Sequence, residues 1–345
     1  MKKILLIGLA LVLLGAAIVG WIFLGPGTAF TGKKEYLYIS SKAATKEAVL
    51  DSINANNIVK NQSAFNFLAE RLNYWDRIRP GRYEVDKGTS LLTLVRMLRN
   101  GRQTPVNIVI TKLRTKEQLA RLVGNKLEFD STEMLQFLND EDSLNKFGVN
   151  TETAMFNVLP NTYTFLWNTT PKAVYQKLYN QRKKFWTEER KQKAQALGIT
   201  PVQAYIIASI VEEETNYHNE KDTIASVYLN RLKKGMALGA DPTIKFALKD
   251  FSIKWIRGDM LNVASPYNTY RNRGLPPGPI CIPSEKTIDA VLAAPQTDYL
   301  FFVADSNFTG RHLFSVTYAE HLRKAKAFQA EDKRRREARE QQKPT

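Results

Sequence analysis

A chain of 345 residues is long enough for roughly two domains, and 43% hydrophobic with 24% charged content excludes global disorder. The net charge of +16 calls for an anionic partner, which nucleic acid, an anionic membrane surface or an acidic polymer would each satisfy. One cysteine, Cys281, excludes an intramolecular disulfide. Between Ile280 and Ile282 it reads as a small buried hydrophobe rather than a nucleophile.

Lys2 and Lys3 precede an uncharged apolar run from Ile4 to Leu24 that ends at Gly25-Pro26-Gly27. At the helical rise this run spans about 31 Å, enough to cross a bilayer core. A cleaved signal peptide has a shorter apolar region and a small-residue cleavage site. Here Trp21 and Phe23 stand at the far end, where interfacial aromatics belong, so an uncleaved transmembrane helix over 4–24 is expected. Residues 1–3 form a short cytoplasmic tail by the positive-inside rule, and the chain from about residue 30 lies outside. Export in that direction removes nucleic acid from the partners. No cysteine follows the run to carry a lipid.

Past the anchor, Tyr36 to Ile39 predicts a short strand, Lys46 to Asn54 and Ser63 to Leu72 two helices, and Gly81 to Val85 a second strand. A helix over Leu91 to Leu98 closes at Asn100-Gly101. Residues 30–104 thus form a small α+β module, too small to host much chemistry. Val106 to Ile110 is a strand of β-branched residues, and Thr115 to Gln118 has the capping-box spacing for a helix through Val123. Helices continue to about Leu197, with a break over Leu159 to Tyr163. Tyr299 to Ala304 reads as a buried strand, and the tail from Glu331 as a solvated or frayed helix end.

Pro201 suits the first turn of a helix running through Tyr205 to Val211 into Glu212-Glu213-Glu214. At about 100° per residue, Ile206, Ile207 and Ile210 share a face with Glu214, whereas Glu212 points to the opposite side and Glu213 between. A carboxyl drawn toward apolar surroundings has a raised pKa, the condition a general acid needs near neutrality. The plainer alternative is a helix end with all three acids solvated. Thr215-Asn216 would release the helix into a loop, a usual setting for a catalytic group. Downstream, Asn268 and Tyr270 suit hydrogen bonding to a sugar, although ordinary loop contacts would use the same residues. His218, His312 and His321 fit no usual zinc spacing, and neither a metal nor a cofactor is expected.

Several blocks resemble the endolytic murein transglycosylases of the YceG-like (MltG) family. They are Ala208 to Thr215, Ala225 to Leu232, Gly235-Met236 with Leu238, and Asp241-Pro242-Thr243. Tyr267 to Tyr270, Gly274 to Ile280, Tyr299 to Asp305, and a last set of Gly310, His312, Phe314, Thr317 and Glu320-His321 follow in the family's order. Gly81-Arg82-Tyr83 and Leu159 to Tyr163 are weaker matches, the second lacking the usual preceding glycine and aromatic residues. The resemblance implies an α+β protein of the inner membrane, single-pass, with its C-terminal bulk in the periplasm. It further implies a LysM-like module over 30–104, a mixed α/β catalytic domain over 105–328 whose helix carries the catalytic glutamate, and a charged tail over 329–345.

The family's glutamate is the one before the threonine, here Glu214. Where the family commonly has Glu-Lys-Glu-Thr, this chain has Glu213 in the middle, which either raises the pKa of Glu214 or points to water. Glu212 and Asp241 are candidate supporting acids. Asn230, Thr243, Tyr267, Asn268, Thr269, Tyr270 and His312 are candidate substrate-binding residues. The implied reaction cleaves the MurNAc–GlcNAc bond within nascent peptidoglycan strands, leaves 1,6-anhydroMurNAc ends and helps end glycan elongation. Implied partners are the glycan strands, the membrane and peptidoglycan synthases. Two alternatives stay open: a hydrolysing muramidase with Asp241 as second carboxylate, and a non-catalytic peptidoglycan-binding scaffold.

Overall fold

The computed structural model describes residues 2–341, a mixed α+β chain in two compact units. The first unit comprises the chain through Ile108 with residues 122–131 and 163–171; the second comprises 109–121, 132–162 and everything from Lys172 onward.

The first unit starts with α1 (Lys2–Leu24), whose apolar side chains are mostly uncovered and whose mean hydropathy reaches 2.7. Its 23 residues make about 35 Å of helix, long and apolar enough to cross a membrane. Next come β1 (Lys34–Ile39), α2 (Lys46–Ala55), α3 (Gln62–Arg71), β2 (Gly81–Asp86) and α4 (Leu91–Asn100). Local chemistry sets these limits. Thr45, Asn61 and Ser90 each accept a backbone N–H three residues on, and Gly101 ends α4 at φ 67°, a left-handed value that only glycine adopts without strain.

β1 and β2 pair antiparallel with Leu37 opposite Tyr83 and Ile39 opposite Gly81. The twofold alternation turns Leu37, Ile39, Tyr83 and Val85 inward, onto Val49 and Ile53 of α2, Phe65 and Ala69 of α3, and Leu94 and Leu98 of α4. Truncating Leu94 to alanine in this core would cost about 2–5 kcal/mol.

β3 (Val106–Ile110) pairs with β4 (Asn161–Phe165) in a second two-stranded sheet, and both strands lie where the chain crosses from one unit to the other. The break expected over Leu159 to Tyr163 is therefore the approach to a strand. Alternating Thr162, Tyr163, Thr164 and Phe165 carry it, a signal that Pro160-Asn161 read as punctuation had hidden. Between these strands lie α5 (Lys116–Gly124), α6 (Ser131–Leu138) and α7 (Glu141–Asn145). Thr115 caps α5 by accepting from Gln118 N, while the Gln118 amide oxygen takes the N–H of Arg114, one residue earlier than a capping box requires.

In the second unit follow α8 (Pro171–Phe185), α9 (Glu188–Ala196), α10 (Pro201–Glu214), α11 (Lys221–Lys233), α12 (Asp241–Leu248) and α13 (Glu285–Leu292). Every residue of α10 from Ala204 to Val211 is buried, because α9, α11, α12 and α13 all pack on it. The helix is thus enclosed all round, on its isoleucine face and on the opposite side alike. Cys281 lies against it, its thiol donating to Ser209 O at 3.3 Å. β5 (Phe301–Ala304) pairs antiparallel with β6 (His312–Ser315), Phe301 opposite Ser315. β5 is half-buried rather than buried, since it belongs to a two-stranded sheet backed by α14 (Tyr318–Gln341). The charged tail continues α14, with Arg334 and Arg335 on Glu331 and Arg336 on Asp332 at helical spacing; residues 342–345 lie outside the described residues.

Candidate active site

α10 opens with a capping box between Thr200 and Gln203 and has Pro201 in its first turn. It stops at Glu214, because Thr215 is extended at φ −146°, ψ 145°. Glu212, Glu213 and Glu214 therefore occupy the last turn, where the helix dipole disfavours negative charge. Each must find compensation from elsewhere in the chain.

Two of them find cations. Glu212 takes Lys221 Nζ at 2.8 Å and Ser284 Oγ at 3.2 Å, together with the hydroxyl of Thr287. Burial pushes its pKa up, but Lys221 and Thr287 outweigh it and hold the carboxyl below its ordinary value. Glu213 takes Lys112 Nζ at 2.9 Å and Arg114 at 3.0 Å. There too burial is outweighed, and the carboxyl stays low.

Glu214 is different. Among the described residues it forms no ion pair, and its Oε1 accepts the Tyr228 hydroxyl at 2.5 Å. Burial dominates and lifts its pKa to about 7; the charge of Asp241 adds to this, while Tyr228, Lys245 and Arg231 pull it partway back. The carboxyl is enclosed by protein yet opens onto a cleft of about 950 Å³. Asp241, the first residue of α12, lines the same cleft, held by the Tyr270 hydroxyl. Lys234, Arg271 and Arg273 give the cleft an exposed cationic margin.

The remaining sequence candidates divide. Tyr270 faces the cleft. Thr243 and Thr269 are buried and share a hydrogen bond at 2.8 Å, and Thr269 accepts Ala240 N, so they close the turn leading into α12. Asn268 donates to Leu261 O and Val263 O and accepts from Tyr270 N, which folds the loop that presents Tyr270. Asn230 donates to Thr297 O at 2.7 Å and Tyr299 O at 3.0 Å, tying α11 to the approach of β5. Tyr267 packs on Phe246 and donates to Glu152 at 2.8 Å, in a separate pocket. His312 meets buried Glu220 through its backbone N–H at 3.0 Å and through Nδ1 at 3.3 Å, off the cleft.

Arg231, which lines the cleft, and Tyr228, which meets Glu214, were absent from the candidates, and His321 of the last motif block also lines the cleft. Tyr228 and Arg231 stand three apart on α11 and so share a face, a spacing visible in the sequence. Arg231 donates to Leu300 O at 2.7 Å and to Leu238 O, bracing the cleft between α11 and β5. No group of three or more His, Cys, Asp or Glu side chains among the described residues is arranged to hold a metal ion.

One carboxyl with its pKa lifted toward neutrality by burial, hydrogen-bonded to a tyrosine and opening onto a cleft, has the features of a candidate acid–base site. Residues 37–327 match the model of the YceG-like family, and the chain belongs to that family. It is 28% identical over 289 residues to a Bacillus subtilis (strain 168) protein named endolytic murein transglycosylase, covering 79% of each chain. A protein of the same name from Streptococcus pneumoniae (strain D39) is 27% identical over 278 residues; the match takes in 72% of this chain and half of that longer one. The crystal structure of a YceG-like protein from Listeria monocytogenes aligns with a TM-score of 0.55 at 25% identity, over 85% of this chain and 99% of that one.

Proposed function

We propose that the chain is a membrane-anchored lytic transglycosylase that cleaves the MurNAc–GlcNAc bond of peptidoglycan strands, with Glu214 as acid and then base. The observation that carries the reading is the contrast within three consecutive acids. Glu212 and Glu213 are neutralised by cations, whereas Glu214 meets a hydroxyl and has its pKa raised to about 7. The names of the relatives supply the substrate class. The cationic margin of the cleft suits an acidic polymer.

Protonated Glu214 donates to the glycosidic oxygen as the C1–O bond breaks, and the bonding pair leaves with the GlcNAc O4. The MurNAc C1 passes through an oxocarbenium-like state. Glu214, now a carboxylate, takes the proton of the C6 hydroxyl as O6 closes onto C1. The glutamate returns to its protonated form, a 1,6-anhydro end is made, and no water is consumed. A raised pKa serves the first step, and the return to a carboxylate serves the second.

The order β1-α2-α3-β2 in the first unit supports a LysM-like module, α1 supports a single-pass anchor, and Lys2 and Lys3 ahead of it favour the bulk of the chain outside the cytoplasm. Asp241 on the same cleft favours a second reading, hydrolysis with this carboxylate as base. Mass spectrometry of fragments from purified murein separates the possibilities. Ends lacking one water support the transglycosylase, ordinary reducing ends the hydrolase, and intact strands a scaffold.

A further inference from the structure

We infer that the first unit is seated on the bilayer surface, with the face of α3 around Phe67 in the phospholipid headgroup layer. This rests on reading α1 as membrane-spanning. From Ile4, a bilayer core of roughly 30 Å is crossed in about twenty residues, which brings Phe23 to the outer boundary. The Phe67 ring stacks on Phe23 with centroids 5.8 Å apart. The interfacial layer on each side is about 5–7 Å deep, comparable to this separation, so the Phe67 ring lies within that layer or at its outer edge.

The connection allows no slack. Gly27 N donates to Thr89 O at 3.1 Å, Lys60 N to Gly27 O at 2.8 Å, and Ala29 N to Ile58 O at 3.1 Å. A Cβ on Gly27 would lie 2.9 Å from Leu91 Cγ and 3.0 Å from Leu91 N, so the chain leaving the membrane is pressed against α4 where only glycine fits. The unit therefore follows the anchor directly, without a free linker.

The exposed chemistry suits headgroups. Phe67 is 47% exposed even with Phe23 on it, an apolar ring of the kind that partitions into the interface. Arg71 lies over that ring at 5.3 Å, and Lys60 reaches Pro26 O at 3.3 Å, so two exposed cations flank the exit point at the height of the lipid phosphates.

The test uses the full chain in nanodiscs of phosphatidylethanolamine and phosphatidylglycerol. Ser63→Cys, one helical turn from Phe67 on the same exposed face, carries an environment-sensitive NBD label; Cys281 is buried and stays unlabelled. The expected result is loss of emission with lipids brominated near the headgroup, protection from aqueous iodide, and reversal of both when Phe67→Ser and Arg71→Glu are added. Iodide quenching with no effect of bromolipid would overturn the inference. A label at Val12→Cys, near the bilayer centre, reports on the anchor itself with lipids brominated deep in the acyl chain: if these do not quench it, α1 does not span, and that reading fails rather than the docking.

Discussion

Tyr228 of α11 donates its hydroxyl to Oε1 of Glu214, the last residue of α10. Tyr228 is buried and Glu214 half-buried at the cleft, and the bond stabilises the charged form of the carboxyl against the burial that opposes it. Glu214 is thus held near neutrality by two opposed effects, which can be altered separately.

Removing the hydroxyl in Tyr228→Phe takes away a contact that lowers the pKa of Glu214, so that pKa rises. In the pH dependence of kcat/KM on murein, the basic limb of the variant is expected to move to higher pH, with a lower maximum as the carboxyl loses its orientation. A limb that stays in place would mean that Glu214 is not the group titrating there.

Asp241→Asn should act in the opposite sense. The Asp241 charge raises the Glu214 pKa, so its loss lets Glu214 ionise earlier and moves the basic limb to lower pH. Opposed shifts in the two variants, measured on one substrate, would be hard to obtain from general damage to the fold.

Stability should carry the same signature. The Glu214 pKa is raised from 4.5 to about 7, so the folded chain keeps a proton that the unfolded chain has released. Stability is intact below the unfolded value and falls as pH rises through the folded one, a loss of about 3 kcal/mol at most. Glu214→Gln is therefore expected to raise the urea midpoint relative to wild type at pH 8 and to leave it nearly unchanged at pH 4. An equal effect at both pH values would count against a raised pKa.

Glu212 gives the mirror image. Its pKa is lowered, so its contribution is present above the ordinary carboxylate value and lost as pH falls through the depressed one. Lys221 is only 8% exposed, and Glu212→Gln would leave its charge without a counterion. A loss of about 3 kcal/mol is expected at pH 7 in urea unfolding, shrinking in acid as wild-type Glu212 is protonated.

Much of the first unit was legible because its signals are local. Thr45, Asn61 and Ser90 announce their helices, and the alternation around Leu37 and Tyr83 announces the strands. The enclosure of α10 was not legible, since a helix packed on all sides has no polar face to set its period. What separates the three glutamates was hidden for a related reason. The partners of Glu213, Lys112 and Arg114, come from about a hundred residues earlier, and Thr287 reaches Glu212 from 75 residues later. Asn230, Thr243, Asn268 and Thr269 were marked by belonging to motif blocks, yet their side chains bind backbone and one another. A motif records that a side chain is needed and leaves open whether a loop or a substrate needs it.

The most direct test of Glu214 as the acid is the yield of 1,6-anhydro ends from murein, quantified by mass spectrometry for wild type, Glu214→Gln and Glu212→Gln at equal folded concentration. Glu214→Gln is expected to abolish those ends while remaining folded, and Glu212→Gln to retain them in proportion to its folded fraction. Anhydro ends persisting in Glu214→Gln and vanishing in folded Glu212→Gln would contradict the assignment.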